Sequence, residues 1–216
     1  MRGFGAEELL ECYARGVFPM AEDRDDPRVF LLDPDERGVI ALDQFHIPRS
    51  LAKLVRKDRF HVTVNRCFAI VVDHCAAPAR GRENTWINDP IRNLYGELHE
   101  RGHAHSLECW HEGDLVGGLY GVSLGGAFFG ESMFSRMTDA SKVALVHLVA
   151  RLKAGGYTLL DTQFITEHLQ RFGAQTITRN AYHRLLRDAL KEDGNFFAMP
   201  EGLNGAQLLQ SITQTS

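Results

Sequence analysis

The sequence predicts a mixed α+β fold in which an antiparallel meander is followed by a crossover helix and a returning strand. Three strand-like segments lie at 103–110, 115–122 and 127–134, and glycine-containing turns separate them. An apolar helical pattern then covers 140–154, and a further strand pattern covers 157–163. This order of elements is typical of a mixed sheet with a helix packed on it.

The remaining elements are predicted from apolar residues at helical or alternating spacing. Helices are expected over 6–15, 49–59, 65–77, 89–100 and 182–191. A short strand is expected over 60–64 and a polar loop over 80–84. Thr138 or Asp139 can cap the helix over 140–154.

The turns between these elements indicate how the chain divides. We expect a small N-terminal domain over 1–60 and a larger domain over 61–195. Residues 196–216 are expected to form a C-terminal tail, loose over 207–216.

Composition excludes several classes of protein. The chain has 216 residues, of which 44% are hydrophobic and 24% charged, so it can bury a sizeable core. It has no run of about 18 apolar residues, so no membrane span is expected, and its N-terminus lacks the apolar core of a signal peptide. Its four cysteines show no C-x-x-C spacing, which favours a reducing cytosol over a disulfide framework or zinc site.

A basic stripe is predicted on the helix over 49–59. Most of its members are spaced three or four residues apart; they are Arg49, Lys53, Arg56, Lys57 and Arg59. Leu51, Leu54 and Val55 lie largely away from the stripe, where they can pack. The stripe could contact the phosphate backbone of a nucleic acid, although a solvated helix face is the commoner explanation. The net charge of −4 argues against a general nucleic-acid coat.

The most unusual segment, 125–135, reads as a strand yet carries a carboxylate among aromatic and sulfur-containing side chains. On a regular strand Phe129, Glu131 and Met133 would share one face. A charge on an apolar strand costs several kcal/mol unless it is paired or hydrated. Glu131 therefore indicates either an apolar pocket that handles a cationic group or a structural ion pair with an arginine.

A second pair of polar residues ends the strand over 157–163. Asp161 and Gln163 are two residues apart, so we expect them to share a face at the carboxyl end of the strand, where ligand sites open. An ionised Asp161 only accepts hydrogen bonds, whereas Gln163 both donates and accepts. Together they could orient an amine; capping of the strand end is the alternative.

Other reactive residues form no recognisable site in the sequence. His103 and His105 share a strand face, but no third ligand is evident, and zinc needs at least three protein ligands. Ser132 and Ser135 lack a His and an acid at triad spacing. No glycine-rich phosphate loop follows any strand. A metal enzyme and a hydrolase are therefore disfavoured.

Several motifs together resemble one known family. In chain order they lie at 16–19, 85–87, 103–110, 115–122, 130–135, 140–142 and 160–163. They include Gly-Glu-Ser-Met-Phe-Ser around Glu131 and Leu-Asp-Thr-Gln around Asp161. These motifs fall within residues 7–187 and resemble those of the leucyl/phenylalanyl-tRNA–protein transferases.

The resemblance implies a cytosolic bacterial enzyme that transfers Leu or Phe, and less efficiently Met, from aminoacyl-tRNA to proteins beginning with Lys or Arg. The products would enter N-end rule degradation. The larger domain would be similar to the GNAT acetyltransferase fold, beside a small N-terminal α/β domain. No metal or cofactor would be needed because tRNA carries the activated acyl group, and we expect a monomer without membrane contact.

The resemblance also implies roles for particular residues. Asp161 and Gln163 would be catalytic, with Gln163 contacting the attacking amine through its side-chain carbonyl and Asp161 either orienting Gln163 or stabilising charge. Glu131 would hold an ammonium group of the donor or the acceptor. An apolar donor pocket would be lined by Met20, Trp86, Phe128, Gly130, Ser132, Met133, Leu152 and Leu160. The basic stripe becomes a candidate tRNA contact.

Two departures from the family pattern fall near this pocket. Met20 and the pair at 31–32 stand where the family often has tryptophan, and a methionine cannot stack on a base as an indole does. Two other functions remain open: a coenzyme A-dependent N-acetyltransferase of the same fold, and a non-catalytic tRNA- or peptide-binding module. The acetyltransferase needs a glycine-rich pyrophosphate loop, which 136–141 lacks. The presence of Asp161 and Gln163 argues against the binding module.

Overall fold

The computed structural model describes residues 4–78 and 83–214. Residues 80–82 of the predicted polar loop and 215–216 of the predicted tail lie outside the described residues. The strands are β1 (Phe18–Met20), β2 (Phe30–Leu32), β3 (Glu36–Ile40), β4 (His61–Val64), β5 (Ala104–His111), β6 (Asp114–Leu124), β7 (Ala127–Ser135), β8 (Leu159–Gln163) and β9 (Ala174–Thr178). The α-helices are α1 (Ala6–Ala14), α2 (Arg49–Arg56), α3 (Phe68–Ala76), α4 (Asp89–Glu100), α5 (Ala140–Ala154), α6 (Glu167–Gln170), α7 (Arg179–Ala189) and α8 (Gly205–Gln214).

A seven-stranded mixed sheet occupies the centre, in the order β4-β5-β6-β7-β8-β3-β9. Neighbouring strands are antiparallel except β7 and β8, which are parallel. The connection between these two strands contains α5, as a parallel pair requires a crossover. The mixed α+β sheet that the sequence predicts is therefore confirmed. Strands β1 and β2 pair separately as a small antiparallel sheet.

Separate hydrophobic clusters cover the two faces of the large sheet. One cluster joins α2, α5 and α8 to the sheet and includes Phe128. The other joins α1, α3, α4 and α7 to the sheet and includes Phe129. Because both of these consecutive phenylalanines are fully buried, the middle of β7 is covered on both faces. Among the described helices, none is long and apolar enough to cross a bilayer.

The predicted helices and the strands of the meander are present within a few residues of their expected bounds. Strands β3 and β9 are additions to the predicted sheet. β3 begins with two charged residues, Glu36 and Arg37, and β9 is a largely exposed edge strand, so neither has a clear apolar alternation. β3 nevertheless lies between β8 and β9 and closes that end of the sheet.

The large sheet takes residues from both sides of residue 60, where the sequence suggests a domain boundary. β3 precedes that residue and pairs with both β8 and β9. The helix α2 also precedes it and packs against α5 and α8. Residues 36–60 therefore contribute a strand and a helix to the large sheet and its packing.

The end of the chain is helical rather than loose. Leu208, Leu209 and Ile212 of α8 are buried against the cluster that contains α5. The backbone N–H of Gly205, where the helix begins, donates to the Asp58 carboxylate at 2.7 Å. The expectation of a loose tail is wrong for residues 207–214, because their apolar side chains recur at helical spacing and find a partner surface.

Substitution of Leu208 by alanine tests whether α8 stabilises the fold. The side chain is 0% exposed, so its truncation should cost about 2–4 kcal/mol of unfolding free energy. The matched control is Gln210→Ala, at an exposed position of the same helix, which should change stability by less than about 0.5 kcal/mol. Equal urea denaturation midpoints for wild type and both variants would show that α8 contributes nothing.

Candidate active site

A cavity of about 910 Å³ opens above the large sheet. Strands β6, β7 and β8 contribute to its wall, as do α5, β1 and the segment that follows β8. Eight predicted site residues line it: Met20, Trp86, Gly130, Glu131, Ser132, Met133, Leu160 and Gln163. The structure thus brings most of the predicted pocket together from four distant parts of the chain.

Three predicted site residues do not line this cavity. Phe128 is fully buried on the side of α5 and stacks on Phe196 with 5.5 Å between ring centroids. Leu152 is fully buried in the same hydrophobic cluster. Asp161 is 0% exposed and lies behind the wall. Phe128 and Leu152 therefore support the pocket as part of the core.

A β-bulge in β7 sets the position of Glu131. Gly130 and Ser132 pair with consecutive residues of β6, so Glu131 is the extra residue of the bulge. The alternation of side chains reverses beyond it: Phe129 packs with α1 and α4, whereas Met133 packs with the cluster of α5. The expectation that Phe129, Glu131 and Met133 share one face is therefore wrong, because a bulge shifts the strand by one residue.

Hydroxyl groups from two helices hold the Glu131 carboxylate. Tyr13 of α1 donates to Oε1 at 2.7 Å, and Tyr95 of α4 donates to Oε2 at 2.6 Å. Gln163 Nε2 also donates to Oε1, at 3.1 Å. Within the described part of the chain, no Lys, Arg or His forms an ion pair with Glu131. The structural ion pair that the sequence left open is therefore not what holds this carboxylate.

Burial dominates the protonation of this cluster. It raises the pKa of Glu131 to about 7, against the hydrogen bonds from Tyr95 and Tyr13, and the negative charge of Asp161 raises it as well. Burial, together with the charge of Glu131, also raises the pKa of each of the two tyrosines well above its usual range. Both hydroxyls therefore remain donors, and the carboxyl ionises readily once a cation approaches.

Asp161 lies behind the cavity in a buried ion pair with Arg37 of β3. Arg37 Nε donates to Oδ1 at 3.0 Å and Nη2 donates to Oδ2 at 2.7 Å. The Tyr182 hydroxyl donates to Oδ2 at 2.7 Å. The guanidinium carbon lies 4.5 Å from the ring centroid of Phe18 and 4.3 Å from that of Tyr182. Burial opposes the charge of Arg37, but Asp161 raises the pKa of Arg37 overall, so the guanidinium stays charged.

Gln163 ends β8 and turns into the cavity. Its φ of +54° lies in the left-handed region, which is uncommon for a residue other than glycine. Its backbone N–H donates to Asp161 Oδ1 at 2.8 Å, which holds this conformation. The expectation that Asp161 and Gln163 share a face is wrong, because the positive φ turns Gln163 towards Glu131 while Asp161 points to Arg37.

The other candidate sites of the sequence have simpler surroundings. All five residues of the basic stripe are exposed on or beside α2, and Leu51 and Val55 are buried beneath them. His105 is buried and stacks on Phe196 with 4.1 Å between ring centroids. Over residues 4–78 and 83–214, no cluster of three His, Cys, Asp or Glu could hold a metal ion.

Comparison with known proteins identifies the family. A family model described as leucyl/phenylalanyl-tRNA protein transferase matches residues 39–187, and the model of its N-terminal domain matches residues 4–35. The chain belongs to this family of transferases. Proteins named leucyl/phenylalanyl-tRNA–protein transferase are 68% identical in Maricaulis maris and 61% identical in Phenylobacterium zucineum, each over 100% of both chains. The protein of that name in Caulobacter vibrioides is 58% identical over 99% of this chain and 98% of its own. The resemblance inferred from the motifs is confirmed.

Four residues of this transferase site have no clear signal in the sequence pattern. Tyr13 and Tyr95 count as apolar residues of their helices, and only the structure shows that both hydroxyls meet Glu131. Arg37 and Tyr182 surround Asp161 from distant segments. Only Arg37 has a feature that the sequence could have revealed. It is a charged residue close to the apolar Val39 and Ile40, just as Glu131 is a charged residue among the apolar residues of β7.

The raised pKa of Glu131 predicts how stability depends on pH. A carboxyl whose pKa rises from 4.5 to about 7 on folding makes the protein less stable at every pH where the unfolded chain has released that proton. This loss of stability is absent below pH 4.5, develops between pH 4.5 and about pH 7 and is constant at higher pH, where both the folded and the unfolded carboxyl are ionised. Wild type should therefore lose about 2.5 kcal/mol of unfolding free energy relative to Glu131→Gln between pH 5 and pH 8.

Urea denaturation at several pH values measures this difference. Exposed Glu100 on α4 offers the matched control, since Glu100→Gln should follow wild type throughout. A constant difference between wild type and Glu131→Gln over this pH range would mean that Glu131 ionises normally.

Proposed function

We propose that the chain transfers Leu or Phe, and less efficiently Met, from aminoacyl-tRNA to the N-terminus of proteins that begin with Lys or Arg. Family membership carries the coarser reaction, aminoacyl transfer from tRNA to protein. The single observation that supports a cationic substrate group is Glu131, a carboxylate in an apolar cavity without an ion-pair partner among the described residues. We also propose that the enzyme acts as a monomer and supplies substrates for N-end rule degradation.

The apolar part of the cavity suits a Leu or Phe side chain. Met20, Trp86 and Met133 line it together with Leu145 and Leu148 of α5. A methionine has a flexible, polarisable side chain that adapts to both a branched and an aromatic partner. The wall at Gly130 also has space, since a Cβ there would meet its nearest atom at an ordinary 3.4 Å.

The chemistry requires alignment more than activation. The ester of an aminoacyl-tRNA is already reactive, and holding an amine against it in the correct geometry accelerates the transfer strongly. An α-amino group has a pKa near 8, so an appreciable fraction is neutral and nucleophilic at cellular pH. The enzyme therefore needs a residue that positions the amine rather than a strong base.

Gln163 can serve as that positioning residue. Its Nε2 donates to Glu131, which fixes the amide and leaves its carbonyl oxygen without a donor among the described residues. That oxygen would accept a hydrogen bond from the attacking amine. Asp161 acts through the backbone, because it holds the N–H of Gln163 and with it the orientation of the side chain.

Glu131 would bind the ammonium group of the donor or the acceptor. Three hydrogen bonds fix the carboxylate in the wall, and an approaching cation would lower its raised pKa and hold it ionised. The ionised carboxylate then attracts the cation across a low-dielectric cavity, where screening is weak. An arginine in this position would repel the same substrate.

The tRNA would lie along the basic stripe of α2. The five exposed cations Arg49, Lys53, Arg56, Lys57 and Arg59 can contact consecutive phosphates. We further propose that the meander β5–β7 with α5 and β8 is a GNAT-like unit in which tRNA takes the place of coenzyme A. The segment 136–141 between β7 and α5 has no glycine, so it lacks the pyrophosphate loop that coenzyme A would need.

A transfer assay tests the reaction. Purified protein should move radiolabelled Leu from Leu-tRNA to peptides that begin with Arg or Lys, but not to the same peptides with an acetylated N-terminus. Glu131→Gln should lower the rate by about 10- to 100-fold, because the cavity wall loses its carboxylate, whereas Glu100→Gln should be as active as wild type.

Two results would contradict this account. No label on either peptide, from protein that binds Leu-tRNA, would exclude the transfer reaction. Wild-type activity of Glu131→Gln would leave the reaction in place but remove the role of Glu131.

A further inference from the structure

A second cavity, of about 720 Å³, lies beside the edge strand β4. Its walls are β4, the segment 197–204 that precedes α8, and the side chains of His147 and Arg151 of α5. None of its lining residues lines the candidate active site. The two cavities are thus distinct, with α5 contributing to both.

Arg151 is the unusual residue of this second cavity. It is only 7% exposed, and its Nη1 donates to the carbonyl oxygen of Phe196 at 2.9 Å. Its Nε has no hydrogen-bond partner, and no carboxylate of the described residues forms an ion pair with it. A buried charge without an opposite charge destabilises a protein, and the comparably buried Arg37 has Asp161. Arg151 therefore lacks an ion-pair partner among the described residues.

The acidic residues of the cavity do not supply that partner. Asp58 accepts the backbone N–H of Gly205 at 2.7 Å. Burial lowers the pKa of Arg151, and the charge of Glu201, exposed at the rim, only partly offsets this without forming an ion pair. The neighbouring imidazole of His147 is neutral, because burial and the positive charge of Arg151 lower its pKa to about 4. The exposed Arg66 adds a second cation to the wall. The cavity can thus provide a planar guanidinium, an imidazole and a second guanidinium to an oxyanion.

The cavity continues the basic stripe. Asp58 and Phe60 line it, and they alternate along the chain with Lys57 and Arg59, the last two cations of the stripe. An anionic polymer that follows the exposed stripe would therefore arrive at the mouth of this cavity. Guanidinium groups bind phosphate oxygens in a bidentate arrangement, so Arg151 suits a phosphate in particular.

We propose that this second cavity binds a backbone phosphate of the tRNA that lies along the basic stripe, with Arg151 as its main ligand. The proposal rests on the proposed function, since it assigns a further contact to the same tRNA. Arg151 would increase the affinity for tRNA and take no part in the transfer step, because the two cavities share no lining residue.

Salt-dependent tRNA binding tests the proposal. Arg151→Met should weaken binding of uncharged tRNA by about tenfold near 0.1 M salt and lower the slope of log K against log[salt] by about 1, since one phosphate contact is lost. Arg151→Lys should retain the slope because it retains the charge. Glu201→Gln should bind slightly tighter, as a competing carboxylate is removed from the rim. Arg184→Met, at an exposed position of α7, controls for net charge and should match wild type.

A minimal donor separates this contact from the reaction. Arg151→Met should transfer Leu from leucyl-adenosine, which has no tRNA body, at the wild-type rate. Failure of wild type with both donors would refute the transfer function, whereas the tRNA-binding slopes would still decide the role of Arg151. An unchanged slope and affinity in Arg151→Met would overturn the proposal.

Inorganic phosphate distinguishes a free anion from the tRNA backbone. If phosphate raised the melting temperature of wild type but not of Arg151→Met, while both bound tRNA equally, the cavity would bind a free anion and the tRNA assignment would be wrong. Phosphate that competes with tRNA for wild type, but less for Arg151→Met, would support it.

Discussion

The buried ion pair between Arg37 and Asp161 is the interaction on which the site depends. It joins β3 to β8 inside the sheet, and Arg37 Nη1 also donates to the carbonyl oxygen of Gly16 at 2.9 Å. Asp161 in turn fixes the backbone of Gln163 in its positive-φ conformation, and Gln163 reaches Glu131. A continuous set of hydrogen bonds therefore runs from Arg37 on β3, through Asp161 and Gln163, to Glu131 in the wall of the cavity. Such a network is rigid only while each buried polar group has its partner.

Two carboxylates of the site have opposite environments and therefore different tasks. Asp161 is 0% exposed and accepts hydrogen bonds from a guanidinium and a tyrosine hydroxyl, so its contacts within the protein are structural. The described residues that donate to Glu131 are neutral, and burial raises its pKa to about 7, so it gains most from a cationic ligand. In many enzymes, two acidic residues of one site have different roles because their surroundings differ. The apolar cavity around Glu131 then supplies affinity for the donor side chain.

The sequence predicted the meander, the crossover helix and most of the pocket, because apolar periodicity and turn residues are local signals. It did not predict the bulge at Glu131 or the positive φ of Gln163, and these two features decide which side chains face the cavity. It also placed Phe128 and Leu152 in the pocket, whereas both pack in the core under α5. Long-range contacts such as Arg37 with Asp161, 124 residues apart, leave no periodic pattern in a single sequence.

A double-mutant cycle measures how strongly Arg37 and Asp161 are coupled. If the pair holds the site, Arg37→Met should cost about 3–5 kcal/mol of unfolding free energy, because it leaves a buried carboxylate without its cation. The same substitution in an Asp161→Asn background should cost much less, which corresponds to a coupling energy above about 2 kcal/mol. If the double variant loses the sum of the two single losses of unfolding free energy to within about 0.5 kcal/mol, the two residues are not coupled. That result would contradict the role of this ion pair in holding the site.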